Sequence, residues 1–215
     1  MEPIFSKEEF INMTSRNGKI GKRIFDFIFS ILGLIIVSPM FLIIAILIKI
    51  DSNGDVFFKQ LRVGQFSKPF YIYKFRTMVN DAERLGKQIT VGNDSRITKV
   101  GAFLRKYKLD ELPQLINVFK GEMSFVGPRP EVPRYVKMYD KEQRQVLLVK
   151  PGITDLASLE YKEENEILGN VENPEKYYIE CIMPHKLNLN MQYINKANLI
   201  SDIKIILKTI IKCII

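Results

Sequence analysis

The chain has no tryptophan, one histidine and two cysteines among 215 residues, and each shortage closes off a class of chemistry. Cys181 and Cys213 stand far apart and match no metal or redox spacing, so they read as free thiols of a reducing compartment. A lone histidine, His185 in a Met-Pro-His-Lys stretch, cannot build a zinc centre. Acid, base or nucleophile work therefore falls to carboxylates. There is no Walker-type glycine loop and no spaced-glycine dinucleotide fingerprint, which argues against a nucleotide triphosphatase or an NAD enzyme. Internal repeats and low-complexity tracts are also absent.

The formal net charge is +8, with lysine and arginine spread along the chain rather than gathered in one tail. Such a balance suits an anionic lipid surface or a phosphorylated substrate. Nucleic acid is not expected as a partner, because no recognisable binding motif accompanies the charge. Length alone points to one main domain plus an anchor.

The anchor is the uncharged run from Phe27 to Ile48, FIFSILGLIIVSPMFLIIAILI. At about 1.5 Å per residue, a helix of this length reaches across a hydrocarbon core of roughly 30 Å. Ser38-Pro39 sits near its middle, where proline removes a donor from the carbonyl of Ile35 and the Ser38 hydroxyl can replace it. The segment therefore either spans with a kink or enters, bends and returns. Arg16, Lys19, Lys22 and Arg23 precede it, and Lys49, Lys59, Arg62 and Lys68 follow. Basic residues on both flanks favour both ends on the cytoplasmic face. A cleaved signal peptide is not expected: the apolar core is too long and too far from Met1.

After a turn at Asp51 to Gly54, Val56 to Val63 and Phe70 to Thr77 read as a short hairpin or two edge strands. Helical spacing marks Met78 to Leu85 and Arg96 to Lys108. Pro113 opens a helix that stops at Gly121, and a further helix is expected over Val132 to Val149. Another runs from Asn173-Pro174 toward Pro184, and a last one before the terminus covers Lys186 to Asn195. The final stretch, Leu199 to Ile215, places Lys204, Lys208 and Lys212 on one face of a helix that is otherwise mostly isoleucine and leucine. It is either packed on the core or, beside a membrane segment, seated in the headgroup layer.

Chemistry concentrates between Asp94 and Glu131. Asp110 and Glu111 adjoin each other before Leu-Pro, with Arg105, Lys106 and Lys108 just upstream. Two carboxylates among cations suit phosphoryl chemistry, one attacking phosphorus and the other associated with a magnesium ion that bridges phosphate oxygens. The same residues could instead be structural, with Asp110 an N-cap and Glu111 a first-turn acid. Lys74 and Arg76 would share one face of a strand, and Pro128-Arg129-Pro130 would be a stiff loop presenting one guanidinium.

In combination, KFRTM (Lys74 to Met78), R-x-T-K-V-G-x-F-L-R (Arg96 to Arg105), LDELPQLINVFKGEMSFVGPRP (Leu109 to Pro130) and KPGIT (Lys150 to Thr154) closely resemble the bacterial sugar transferase family. Its members are monotopic phosphoglycosyl transferases that start glycan assembly on a polyprenyl carrier, and the likeness runs from about Lys22 to the C-terminus. The resemblance implies transfer of a sugar 1-phosphate from a UDP-sugar to polyprenyl phosphate, with release of UMP. It implies Asp110 as aspartyl nucleophile, Glu111 as its magnesium-associated partner, and both as metal-holding carboxylates. Arg105 resembles the phosphate-binding arginine, and Pro128, Arg129 and Pro130 the region that contacts the uridine diphosphate. Lys74, Arg76 and Arg96 lie in matched motifs and are carried as further substrate-binding candidates. The expected fold is mainly α with a small β hairpin (α+β), a re-entrant helix broken at Ser38-Pro39, and interfacial amphipathic helices. The expected divisions are a polar lead (1–22), the re-entrant helix (23–50), a catalytic domain (51–197) and the C-terminal interfacial helix (198–215). The expected setting is the cytoplasmic face of the bacterial inner membrane, with membrane lipids as partners; a homo-oligomer is left open.

Overall fold

A computed structural model describes residues 16–80, 82 and 94–214. It begins with one long helix, α1 (Arg16–Asp51), which contains Pro39 in its interior. The helix runs through Ser38-Pro39 without interruption, where the sequence had suggested a break. Ser38 Oγ donates to the carbonyl of Ile35 at 2.8 Å, so the acceptor that Pro39 strands is satisfied without opening the helix. Among the described residues, α1 is the one helix long and apolar enough to cross a membrane.

Both halves of α1 rest on the same domain. In the first half, Arg23 donates to the carbonyls of Val118 at 2.8 Å and Phe119 at 3.0 Å, capping the end of α3 (Gln114–Lys120). Asp26 accepts from Ser124 Oγ and from the Phe125 amide. In the second half, Ile44 and Ile48 are buried with Phe75 and Leu104. Between them, Ile35 and Ile36 point outward, 64% and 75% exposed. At its end, Asp51 accepts from the Val100 amide at 2.9 Å, and Thr98 accepts from that of Gly101. Together they cap α2 (Lys99–Lys106).

The hairpin pairs β1 (Phe57–Val63) with β2 (Pro69–Phe75), Phe57 opposite Phe75. A second, parallel pair joins β3 (Ser124–Val126) to β4 (Gly152–Thr154), which brings the VGPRP and KPGIT motifs together. A side chain at Gly152 would meet the backbone of Gly127 at 2.1 Å, so the close approach of the two strands requires glycine there.

Several expected elements differ in extent. Val132 to Val149 is not one helix but α4 (Pro133–Val136) and a 3-10 segment, Gln143–Leu148. Asp140 and Gln143 exchange side-chain-to-amide hydrogen bonds at 2.8 and 3.1 Å, and this reciprocal box restarts the chain in a new turn. The expected Arg96 to Lys108 helix is trimmed to Lys99–Lys106, its first three residues lost where Ile97 pairs with Met78 in an isolated bridge. The helix expected over Met78 to Leu85 does not start there: Met78 is held in that bridge and Asn80 lies in a turn, and beyond them only Ala82 is among the described residues. Two short helices, α5 (Leu156–Glu160) and α6 (Glu164–Gly169), had no sequence forecast.

Nor do the next helices separate at Pro184. The path runs from α7 (Pro174–Tyr177) through a π turn, Tyr178–Ile182, into α8 (Met183–Lys196). The wider π turn accommodates the missing amide of Pro184. The last helix, α9 (Leu199–Ile214), turns Asp202 and Ile205 inward and leaves Ile203, Leu207, Ile210 and Ile211 exposed, with Lys204 and Lys208 beside them. Lys22 of α1 ion-pairs with Asp202 and donates to the carbonyl of Val126 at 3.0 Å. Thus α1, β3 and α9 meet at one buried ionic knot.

Two glycines give opposite expectations. Gly152→Ala forces β3 from β4 and is expected to destabilise the protein by several kcal/mol or to prevent folding. Gly21 lies within α1 with nothing within 4 Å of a built Cβ, so Gly21→Ala is expected to stabilise by about 0.5–1 kcal/mol. Unfolding in detergent measures both.

Candidate active site

The dyad sits on a tight bend. Lys108 adopts the left-handed conformation (φ 55°) and opens a 3-10 turn, Leu109–Glu111, that leads through Leu112 and Pro113 into α3. Asp110 lies inside this turn rather than at a helix cap, and it is 7% exposed. Its Oδ1 is buried without a hydrogen-bond partner. Burial holds the Asp110 carboxyl above the ordinary aspartate value of 3.8; Lys74 opposes this, Glu111 adds to it, and Arg105 opposes it again.

Glu111 is the reverse case. Lys74 Nζ, from β2, donates to its Oε1 at 2.8 Å. Arg129 grips both of its oxygens, Nη1 reaching Oε2 at 3.1 Å and Nη2 reaching Oε1. Burial pushes this carboxyl up, but Arg129 and Lys74 outweigh it and hold it well below the usual glutamate range. Two adjacent carboxylates are thus driven apart: Glu111 is a fixed anion, and Asp110 is a strained one with a free oxygen. The same pairing raises Arg129 above its ordinary value, while burial lowers Lys74.

Arg129 is aimed by its loop. Its amide donates to the wholly buried Asp155 at 3.0 Å, and Asp155 also accepts from the Ser158 amide at 2.5 Å to cap α5. Pro128 and Pro130 are buried and line a small recess behind the loop instead of the main cleft. Their carbonyls accept from the Gly152 amide and from Arg62 Nη1, both at 3.0 Å. They stiffen the mount; only Arg129 of the three reaches the cleft.

That cleft has a volume of about 1410 Å³ and takes in Lys74, Arg105, Asp110, Glu111 and Arg129. Arg105, on α2, is steadied by Thr77 Oγ1 at 2.8 Å. Arg76 and Arg96 line the same cleft but are committed elsewhere. Arg76 stands one residue past β2 and donates to the carbonyls of Ser52 and Asn53 at 2.7 and 2.6 Å, tying down the end of α1. Arg96 forks onto Asp94 and donates to the carbonyl of Ala82 at 2.9 Å. Lys74 and Arg76 therefore do not act as the paired face that alternation suggested.

Three residues had no sequence forecast. Arg62 donates to Glu131 at 3.3 Å, and Tyr178 donates to the other Glu131 oxygen at 2.5 Å; all three line the cleft. Their link crosses β1, the VGPRP loop and the π turn, so no local pattern could reveal it.

Among the described residues there is no group of three metal-ligating side chains. Both Glu111 oxygens already face cations, which leaves Asp110 Oδ1 as the open acceptor. This donor set fits a magnesium ion that takes its remaining ligands from phosphate and water, and it is too small for an ion held by protein alone.

The model of a family described as bacterial sugar transferase matches residues 17–215. A UDP-N-acetylgalactosamine-undecaprenyl-phosphate N-acetylgalactosaminephosphotransferase from Aeromonas hydrophila is 36% identical over 88% of the chain and 42% of its own length. A UDP-glucose:undecaprenyl-phosphate glucose-1-phosphate transferase from Escherichia coli is 38% identical over 89% of the chain and 39% of its own length. The chain thus spans less than half of these two relatives. The exopolysaccharide production protein ExoY of Sinorhizobium fredii is 33% identical, with 90% of the chain and 85% of that protein covered.

Glu111→Gln keeps the shape but leaves Lys74 and Arg129 without their shared counter-ion. Because Arg129 is a third exposed, the expected cost is about 2–4 kcal/mol, somewhat below that of a fully buried broken pair. Denaturant unfolding of the variant in detergent gives the figure.

Proposed function

The chain belongs to the bacterial sugar transferase family, and we propose that it transfers a sugar 1-phosphate from a UDP-sugar to polyprenyl phosphate. The observation that carries this reading is Asp110: a buried carboxylate with one oxygen unpartnered, beside a Glu111 that two cations hold in place. An oxygen so placed is poorly solvated and suited to attack phosphorus.

Two steps follow. An Asp110 oxygen attacks the β-phosphorus of the UDP-sugar, the bond from that phosphorus to the bridging oxygen breaks, and UMP leaves with the electron pair. The sugar phosphate then remains on Asp110 as an acyl phosphate. An oxygen of polyprenyl phosphate attacks the same phosphorus, and the Asp110 carboxylate departs. One anhydride is exchanged for another, so no further energy source is needed. Arg105 and Arg129 are placed to neutralise charge on the diphosphate. A bound magnesium ion would be held by one Asp110 oxygen, with Glu111 beside it steadied by Lys74 and Arg129, and would supply further charge neutralisation at the phosphates. Splitting the reaction in time lets a soluble and a lipid substrate use one carboxylate.

The membrane setting is supported by the path of α1. At about 1.5 Å per residue its 36 residues extend roughly 54 Å, well beyond a hydrocarbon core of roughly 30 Å. Yet Arg23 and Asp26 near one end, and Ile44 and Ile48 near the other, hold the same domain. A straight crossing would draw that domain into the bilayer. A monotopic seat is consistent with both contacts, the outward Ile35-Ile36 region dipping into one leaflet and the domain on the cytoplasmic face of the inner membrane.

Asparagine matches aspartate in shape and puts no charge into the buried turn, so Asp110→Asn is expected to fold while turnover falls at least ~10³-fold. Incubation of the wild type with labelled UDP-sugar and no lipid is expected to leave label on the protein, with UMP released in equal amount. Consistent absence of that label under acid-quench trapping means direct transfer between two bound substrates.

The pH profile gives a separate check. Asp110 must be ionised to attack, and its folded value is raised, so kcat/KM is expected to climb with pH along a limb above the ordinary 3.8. In Arg105→Gln, which removes a charge that lowers the Asp110 value, the limb is expected to move to higher pH.

A further inference from the structure

One lobe of the catalytic cleft differs in character from the rest. The dyad, Lys74, Arg105 and Arg129 are polar and charged, whereas α3, β3, β4, α5 and α9 contribute mainly apolar residues, Leu115, Phe125, Ile153, Leu159, Ile206 and Ile210, to the same cavity as Asp110, with Thr154, Ser158, Thr209 and Lys212 among them. This mainly apolar wall adjoins α1, the apolar helix. Leu115 lies 3.3 Å from a Cβ built on Gly33, and the Phe125 ring is 6.1 Å from that of Phe25. On the other side α9 carries its apolar residues outward, with Ile210 51% exposed at the lip. The Lys22–Asp202 pair joins α1 and α9, and Thr209 meets Thr154 Oγ1 at 2.6 Å, so the wall is held in place.

We infer that this lobe, between α9 and the α3–β3 wall, is the site that holds the first isoprene units of the lipid acceptor as its phosphate reaches Asp110. The inference rests on the two-substrate reading above. The occupant follows from what borders the lobe: Leu115 and Phe125 meet the membrane helix on one side, Ile210 is exposed on the other, and Asp110 lines the same cavity, an arrangement that suits a chain with one charged end and a long hydrocarbon tail. UDP-sugar offers nothing apolar of that length.

The test separates the two half-reactions. Ile210→Asp places a charge at the lip of the lobe. Ile203→Asp changes an equally outward residue of the same helix, 41% exposed, that does not line the cleft. In vesicles, Ile210→Asp is expected to raise KM for a long-chain polyprenyl phosphate by about tenfold. Release of UMP from UDP-sugar in the absence of lipid should be unchanged. Ile203→Asp should change neither, and a short, water-soluble isoprenyl phosphate should show the same penalty with Ile210→Asp. Equal effects of the two variants would mean that α9 only seats the protein on the membrane, and the inference would be overturned. An unchanged KM in Ile210→Asp would overturn it as well. Lack of UMP release in the wild type would instead count against the covalent step.

Discussion

The site depends on one partly buried ion triad, Glu111 with Lys74 and Arg129. The three come from different places in the chain: a 3-10 turn, the second strand of the hairpin and the loop after β3. Each buried ion alone would be costly, and their mutual pairing is what makes the burial tolerable. With Glu111 so fixed, its neighbour is fixed too, because the 3-10 turn leaves Asp110 little freedom. The triad also accounts for the divergence of the two carboxylates. Lys74 and Arg129 spend their hydrogen bonds on Glu111, and Asp110 is left with burial and an adjacent negative charge.

A second layer holds the domain that carries the triad against α1. Arg23 caps the far end of α3, the helix that follows the dyad turn, Asp26 holds the amide of Phe125, and Lys22 reaches Asp202 on α9. Polar residues near one end of a mainly apolar helix thereby bind the catalytic domain, while the apolar sequence beyond them remains outward. Charge placement within α1 thus does two things at once: it fixes the domain to the helix, and it leaves the Ile35-Ile36 region without protein cover.

Local features were the legible part of the sequence. Pro113 and Gly121 bracket α3 to within a residue, Gly121 in the left-handed region at φ 82°. The hairpin and α9 follow from strand-forming runs and four-residue spacing. Asp110 and Glu111 stood out through the motif they share, and the family likeness covers residues 17–215. What could not be read was pairing at a distance. Lys74 meets Glu111 across 37 positions and Arg129 meets it across 18. Lys74 and Arg76 look equivalent as alternating cations, yet β2 ends at Phe75, and Arg76 turns away to the end of α1. Asp140 ended an expected helix because its side chain competes for a backbone amide, a choice that helical periodicity does not register.

On the covalent reading proposed above, the polarity of the cleft bears on how one carboxylate would serve two partners so unlike in solubility. If the cavity were charged throughout, a lipid phosphate could enter only by exposing its tail to a polar wall, at roughly 0.8 kcal/mol for each methylene left in water or against charge. If it were apolar throughout, a nucleoside diphosphate would shed its hydration without compensation. Cations on the β2, α2 and VGPRP sides, facing a mainly apolar lining on the α3, β3 and α9 sides, remove both penalties. Asp110 lies in the same cavity as both kinds of lining. Such a two-sided cleft suits the sequential use of one carboxylate that we propose, rather than simultaneous binding of two large substrates.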